Sequence, residues 1–356
     1  MKQKIDGKAV VYCDGAFNTP NGKTAHGLVR FTERYEVLGV IDHNYAGQEA
    51  GTVLDRKSYN IPIFKNLDEA LEKIGPKNKP ESFVIGLAPD GGRLPAETKA
   101  VIIQALENGM NVDSGLHDFL YKDENLMAIA TKNGCRVRDI RRTPDRDELH
   151  FFTGKIEEVD CLKVALLGTD SAIGKRTTAW IIVHAFRKAG LKAEMAGTGQ
   201  TGWMQGAKYS MIMDSCINDF VAGEIEHIVY EAWKNENPDL IVIEGQGSLM
   251  NPAYPGGFEI LAAGRPNFVI LQHAPKRLEY DGFEGYPLHP INEQINAIET
   301  ISGKKVIAIT LNHENMEKNE IATACKKITE ETGLPAWDVL EHGADELVEL
   351  LKSHLK

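Results

Sequence analysis

Short apolar runs alternate along the chain with stretches whose apolar residues recur at helical spacing. A parallel sheet with helices on its faces produces that pattern. Residues 9–12 and 37–41 predict strands, with a helix over 24–31 between them. The alternation continues with a helix capped at Asn66 or Asp68, a strand over 82–87, a helix over 95–108, a helix after Asp123 and a strand over 135–140. The second half repeats it. Strands are expected at 162–167, 192–195, 240–243, 267–271, 306–311 and 337–340, and the intervening helices include 177–189, one from about 314, and 345–355. A helix after Asp219, expected to be its cap, carries Val221, Ile225, Ile228, Val229, Ala232 and Trp233 on one face, which leaves Glu224 and Glu226 off the stripe and solvated.

The expectation is an α/β protein with two doubly wound domains, a Rossmann-like one over 1–150 and a P-loop NTPase-like one over 151–356. RRTPDRDE at 141–148, charged and holding a proline, is the expected linker.

The strongest chemical signal is GTDSAIGKRTTA at 168–179, directly after an apolar strand. A strand, a glycine-bounded loop ending in Gly-Lys and a helix make a phosphate nest, with backbone N–H groups aimed at an anion and Lys175 as a compact cation. Gly168, Thr169, Asp170, Ser171, Gly174, Lys175, Arg176 and Thr177 are the expected cofactor contacts. Five residues separate Gly168 from Gly174, and the loop resembles that of dethiobiotin synthetase. Arg176 stands where an ordinary P-loop has its magnesium-binding hydroxyl, which counts against Mg-ATP hydrolysis and leaves the nest intact.

LIVIEGQGSL at 240–249 is the second signal. It puts Glu244 at the carboxyl end of a buried strand, where an acid can hold magnesium through water or take a proton. Asp214 and His273 are the other catalytic candidates. GTGQTGWMQG at 197–206 is expected beside the phosphate site, with Thr198, Gln200 and Thr201 orienting a polar substrate. Gln246, Arg277, Arg93 and His117 complete the expected substrate contacts, and Lys276 beside Arg277 suits an acidic ligand. His117 and Asp118 on a loop read first as a capping pair. Asp42 ends a strand where nucleotide-binding folds hold a ribose, but the first turn, CDGAFNTPNGKTAHG, lacks GxGxxG, so a structural role is expected.

A net charge of −11 argues against nucleic acid or an anionic membrane as partner. Five cysteines without a CxxC pair or zinc spacing suit a reducing cytoplasm without a structural metal. No stretch approaches the roughly 18 apolar residues of a membrane span. The C-terminal helices suit a homo-oligomer.

GTDSAIGKRTT, TGQTG, DFVAGEIE and IEGQGSL, with GLAPDGGRLP and SGLHDFL upstream, occur in one order over nearly the whole chain. Together they resemble a bacterial and archaeal two-domain family known as a domain of unknown function. The resemblance implies a Rossmann-like domain followed by a P-loop domain. It also implies an N-acetyltransferase moving an acetyl group from acetyl-CoA to the amine of D-glutamate, a small amino-acid substrate. Coenzyme A carries phosphates that suit Lys175 and Arg176 without magnesium. Two alternatives stand beside it: an ATP- and magnesium-dependent ligase or kinase like dethiobiotin synthetase, and a nucleotide-dependent switch.

Overall fold

The computed structural model describes residues 4–355, which form two compact units. The first comprises 4–143 and 200–206; the second comprises 144–199 and 207–355. The chain therefore changes unit within the expected linker, and the sequence pattern gives no sign of the return to the first unit at 200–206.

In the first unit, β1 (Lys8–Tyr12), β2 (Glu36–Ile41), β3 (Ile63–Phe64), β4 (Ser82–Ile85), β5 (Asn111–Ser114) and β6 (Val137–Asp139) form a six-stranded sheet in the order β3-β2-β1-β4-β5-β6. Every pairing is parallel. The crossovers are α1 (Lys23–Arg30), α2 (Ala50–Asp55), α3 (Leu67–Ile74), α4 (Ala96–Glu107) and α5 (Glu124–Lys132). Asn66 caps α3 by accepting from Glu69 N, and Asp123 caps α5 by accepting from Leu126 N. The two-residue strand β3 and the one-and-a-half-turn α2 carry too few apolar positions to show a period. Asp42 ends β2 and spends its carboxylate locally, accepting from Phe17 N at 2.9 Å and Asn44 N at 2.8 Å.

In the second unit, β7 (Leu162–Gly168), β8 (Ala193–Gly197), β9 (Tyr209–Ser210), β10 (Leu240–Glu244), β11 (Phe268–His273), β12 (Val306–Leu311) and β13 (Ala336–Trp337) form a seven-stranded sheet, again all parallel. Its order is β13-β12-β11-β7-β10-β8-β9. From β7 the chain places β8 and then β9 on one side, returns to insert β10 between β7 and β8, and from β11 onward builds outward on the other side. The β7/β11 boundary is thus the topological switch point, where sheets of this kind open a crevice at the carboxyl ends of their strands.

The helices that flank this sheet are α6 (Lys175–Lys188), α8 (Asn218–Glu236), α9 (Phe258–Gly264), α10 (Ile291–Ser302), α11 (Lys318–Thr332), α12 (Val339–His342) and α13 (Asp345–Lys352), while α7 (Gln200–Gln205) belongs to the first unit. The tail differs from expectation in two places. Its helix starts at Lys318 rather than near 314, and the strand expected over 337–340 is split into β13 and α12 because Asp338 caps a helical turn. No helix among the described residues is long and apolar enough to cross a membrane.

Two side-chain expectations on α8 are corrected. Asp219 is not its cap: the helix begins at Asn218 with Ile217 in the capping position. Glu226 is not solvated but 3% exposed, accepting from Thr153 N (2.6 Å), Thr153 Oγ1 (2.8 Å) and Ile156 N (3.2 Å). Its partners come from the turn that leads into β7, which periodicity along α8 cannot reveal. Glu224 accepts from the His150 backbone and lies 2.8 Å from its Nδ1.

Candidate functional site

β7 is buried along its full length and delivers Gly168 to the carboxyl edge of the sheet. There the chain must reverse into α6. Left-handed backbone at Ala172 (φ 51°) and Gly174 (φ 95°) accomplishes the reversal. Such a turn gathers successive N–H groups around one point, and the N-terminus of α6 adds its positive end, the arrangement that suits an anion. Lys175 opens α6, is 6% exposed and donates to Asp170 O at 2.6 Å and Gly247 O at 2.8 Å. Lys175 and the 245–248 loop are thereby tied to the same point.

Asp170 is the structural centre of this loop. One carboxylate oxygen accepts from Ser171 N (2.6 Å) and Asn251 Nδ2 (2.8 Å), and the other from Arg277 Nη1 (2.9 Å) and Asp281 N (2.8 Å). The residue is fully buried, and its accepting capacity is largely used by protein donors. Arg277, expected on the substrate, bridges Asp170 to Glu314 at 2.5 Å and donates to Ser171 O at 2.7 Å. Thr178 donates to Gln272 Oε1 at 2.7 Å, and Thr310 donates to the same oxygen at 2.5 Å. The donor set fits a phosphate group better than a metal ion. Asp170 and Thr178 are committed to protein partners, and Arg176 brings a second positive charge.

On the β10 side, Glu244 ends its strand as expected and is 4% exposed. Its Oε2 accepts from Thr198 N at 2.8 Å, and its backbone carbonyl accepts from Thr198 Oγ1 at 2.9 Å. Burial pushes its carboxyl above the ordinary range, partly countered by the Arg176 charge, by the N–H groups of Thr198 and Gly199 and by the Lys175 charge. Gln246 Nε2 donates to Thr198 Oγ1 at 3.0 Å. A Cβ on Gly199 would stand 2.9 Å from that same nitrogen, so glycine is what lets the two loops approach. Asp214 sits on an exposed turn whose preceding residue, Met213, donates to Thr198 O at 2.9 Å.

On the β11 side, His273 is 9% exposed and its Nδ1 lies 3.0 Å from Thr169 Oγ1. Burial pushes its imidazole down to about 4, so the ring is neutral at physiological pH. Thr169 N donates to Gln272 O, which places the loop directly on the switch point.

The structure brings Lys175, Arg176, Glu244, Thr198 and Gln246 together on one side of the loop, and Thr169, His273, Asp170 and Arg277 on the other. Gln200 and Thr201 go elsewhere. They are 8% and 3% exposed within the first unit, where Thr201 Oγ1 lies 2.9 Å from Thr24 Oγ1 and Gln200 packs against Gly115. Only the start of the 197–206 motif, through Thr198 and Gly199, serves the phosphate loop. Arg93 and His117 also belong to the first unit, on loops joined by His117 N donating to Gly92 O and Leu94 N donating to Asp118 at 2.8 Å.

Sequence reasoning missed Asn251, Gln272 and the Gly247 carbonyl. Asn251 is 2% exposed and also accepts from Ala253 N and Tyr254 N, so it shapes the loop it anchors. The Asn-Pro pair inside the glycine-rich stretch after Glu244 was the available signal.

Fold and site define a P-loop unit whose loop is backed by a buried carboxylate, in a chain that also carries a Rossmann-like unit. The chain belongs to the DUF1611 family: residues 150–348 match its P-loop domain of unknown function, and residues 43–143 match its N-terminal Rossmann-like domain. It is similar to a protein named D-glutamate N-acetyltransferase from Tritonibacter scottomollicae, 32% identical over 281 residues, covering 76% of this chain and 81% of the relative. A Pseudoalteromonas protein of the same name is 29% identical over 282 residues, covering 78% and 81%. The crystal structure of a DUF1611 family protein from Anabaena variabilis superimposes with a TM-score of 0.88 at 30% identity, covering 97% of this chain and 99% of that one.

Proposed function

We propose that this protein is an N-acetyltransferase that moves an acetyl group from acetyl-CoA to the amine of an acidic amino acid, with D-glutamate, named for two relatives, as the first substrate to test. The observation that carries the proposal is the buried Glu244 carboxylate, held by the N–H groups of Thr198 and Gly199 beside the positive charges of Arg176 and Lys175. Acyl transfer to an amine requires a base at the amine and donors at the carbonyl oxygen.

When bound, acetyl-CoA supplies the activated acyl group. Lys175, Arg176 and the N–H groups of the loop hold its phosphates, with no demand for the hydroxyl that Arg176 replaces. Glu244, with a raised proton affinity, takes a proton from the incoming ammonium group, which frees the nitrogen lone pair for attack. As the C–N bond forms and the C–S bond breaks, the nitrogen's second proton leaves to solvent and the same carboxyl returns the first to the departing thiolate, so Glu244 ends the cycle ionised as it began and one proton is released per turnover. Gln246 and the N–H groups of the 245–248 loop orient and polarise the carbonyl.

Calorimetric titration with acetyl-CoA in the presence of EDTA tests the reading. Metal-independent binding that Lys175→Ala weakens supports it. Binding of Mg-ATP alone, with none of acetyl-CoA, overturns it in favour of ligation, phosphorylation or switching.

A further inference from the structure

A cavity of about 570 Å³ opens on the β11 side of the phosphate loop, within the size range of small-molecule sites, roughly 300–1,000 Å³. His273 and Arg277 form the wall it shares with the loop, because His273 Nδ1 contacts Thr169 and Arg277 contacts Asp170. Its floor is apolar, built from Leu288, Ile291, Met316, Ala324 and Ile328. Its rim is charged. Lys276 is paired with Glu320 at 2.8 Å, and Glu331 lies further along α11. Lys327 has no ion-pair partner among the described residues.

The sheet order gives the cavity a direction. The phosphate loop follows β7, which lies between β10 and β11. Glu244 therefore flanks the loop on the β10 side and His273 on the β11 side, the two directions open to a ligand whose diphosphate sits in the loop. Under the proposed function the reacting end belongs at Glu244. The end left for the cavity is the nucleoside, a flat apolar base on a ribose.

We propose that this cavity is the nucleoside site of the P-loop unit and takes a purine nucleoside bearing a 3′-phosphate, with Lys327 and Lys276 as the cations that read that phosphate. The inference rests on the acetyl-CoA reading and adds a specificity determinant to it. Coenzyme A carries the 3′-phosphate; ATP and ADP do not. An apolar floor accepts any purine, whereas an unpaired cation at the rim rewards the extra anion.

The test is calorimetry with coenzyme A and with 3′-dephospho-coenzyme A, in EDTA, on wild type, Lys327→Ala, Lys276→Ala and Lys175→Ala. Wild type is expected to prefer coenzyme A by about tenfold or more, as a charge-assisted contact implies. Lys327→Ala, an exposed change that leaves the fold intact, is expected to remove most of that preference while dephospho-coenzyme A binds as before; Lys276→Ala acts in the same direction. Equal wild-type affinity for the two ligands, both weakened by Lys175→Ala, overturns the cavity assignment and leaves the acetyl-CoA reading standing. No binding of either ligand overturns both.

Discussion

Arg277 Nη1 lies 2.9 Å from Asp170 Oδ2, a nearly buried ion pair that ties the 273–281 segment to the phosphate loop. Each partner is further satisfied, Asp170 by Ser171 N, Asn251 and Asp281 N and Arg277 by Glu314. The pair clamps the shape of the loop.

Removing either partner strands the other in a buried site. Arg277→Ala and Asp170→Ala are each expected to destabilise the second unit by about 3 kcal/mol and to weaken phosphate-ligand binding, since Lys175 donates to the Asp170 carbonyl. Urea denaturation and acetyl-CoA titration of the same variants check this. Arg277→Ala with full stability and unchanged binding would contradict it.

The Glu244 carboxyl is raised above its ordinary range mainly by burial, so it holds its proton to a higher pH than an exposed glutamate. Only the ionised form takes a proton from an ammonium group. Activity is therefore expected to rise with pH as Glu244 ionises. Glu244→Gln is expected to lower kcat by about 10²–10⁴ with a small change in KM and to remove that limb of the profile. A kcat/KM profile for both proteins decides it; the same limb in Glu244→Gln assigns the base elsewhere, with exposed Asp214 next.

His273 and His184 are both pushed down to about 4 by burial, His184 also by the Arg187 charge. In the unfolded chain each titrates near 6.5. Below that value the unfolded state takes up protons that the folded state refuses. Stability is complete above about 6.5 and falls as pH drops towards about 4. His273→Gln is expected to flatten this loss, read as the urea midpoint at pH 7 and pH 5; an unaltered difference between the two pH values would refute the assignment.

Strands with four or more apolar positions were legible as strands, and 306–311 fell on β12 to the residue. Nothing of that kind marked β3, α2 or the split tail, where elements are two to six residues long and tertiary contacts decide. In the candidate site, the turn after β7, the place of Lys175 at the start of α6 and the place of Glu244 at the end of β10 were legible because motif and strand end coincide. The pairing of Arg277 and Asp170 was not. Their partners lie up to 111 positions away in sequence, and an arginine near a phosphate loop reads the same whether it meets a ligand or a carboxylate.

The fate of 200–206 was equally hidden. Trp203 stacks 3.6 Å beneath Arg34, whose Nε donates to Trp203 O at 2.9 Å and whose Nη1 pairs with Asp6 at 2.9 Å. Gln205 adds bonds to Gly27 O and Phe31 O, each at 2.9 Å. A tight glycine-rich turn and a docked helix share the same composition here. Arg34→Ala is expected to cost the first unit about 3 kcal/mol, visible as a lower urea midpoint with Trp203 fluorescence shifted towards that of an exposed indole. An unshifted spectrum would show that the helix docks without it.

The proposed reaction is acyl transfer from a thioester to an acidic amino acid without metal. The most direct measurement is the release of free thiol from acetyl-CoA by the purified protein in EDTA, with and without D-glutamate, with the acylated product weighed by mass spectrometry. Amino-acid-dependent thiol release equal to the N-acetyl product is expected, lost in Lys175→Ala and Glu244→Gln. Thiol release independent of any amino acid, or none while Mg-ATP is consumed, would contradict it.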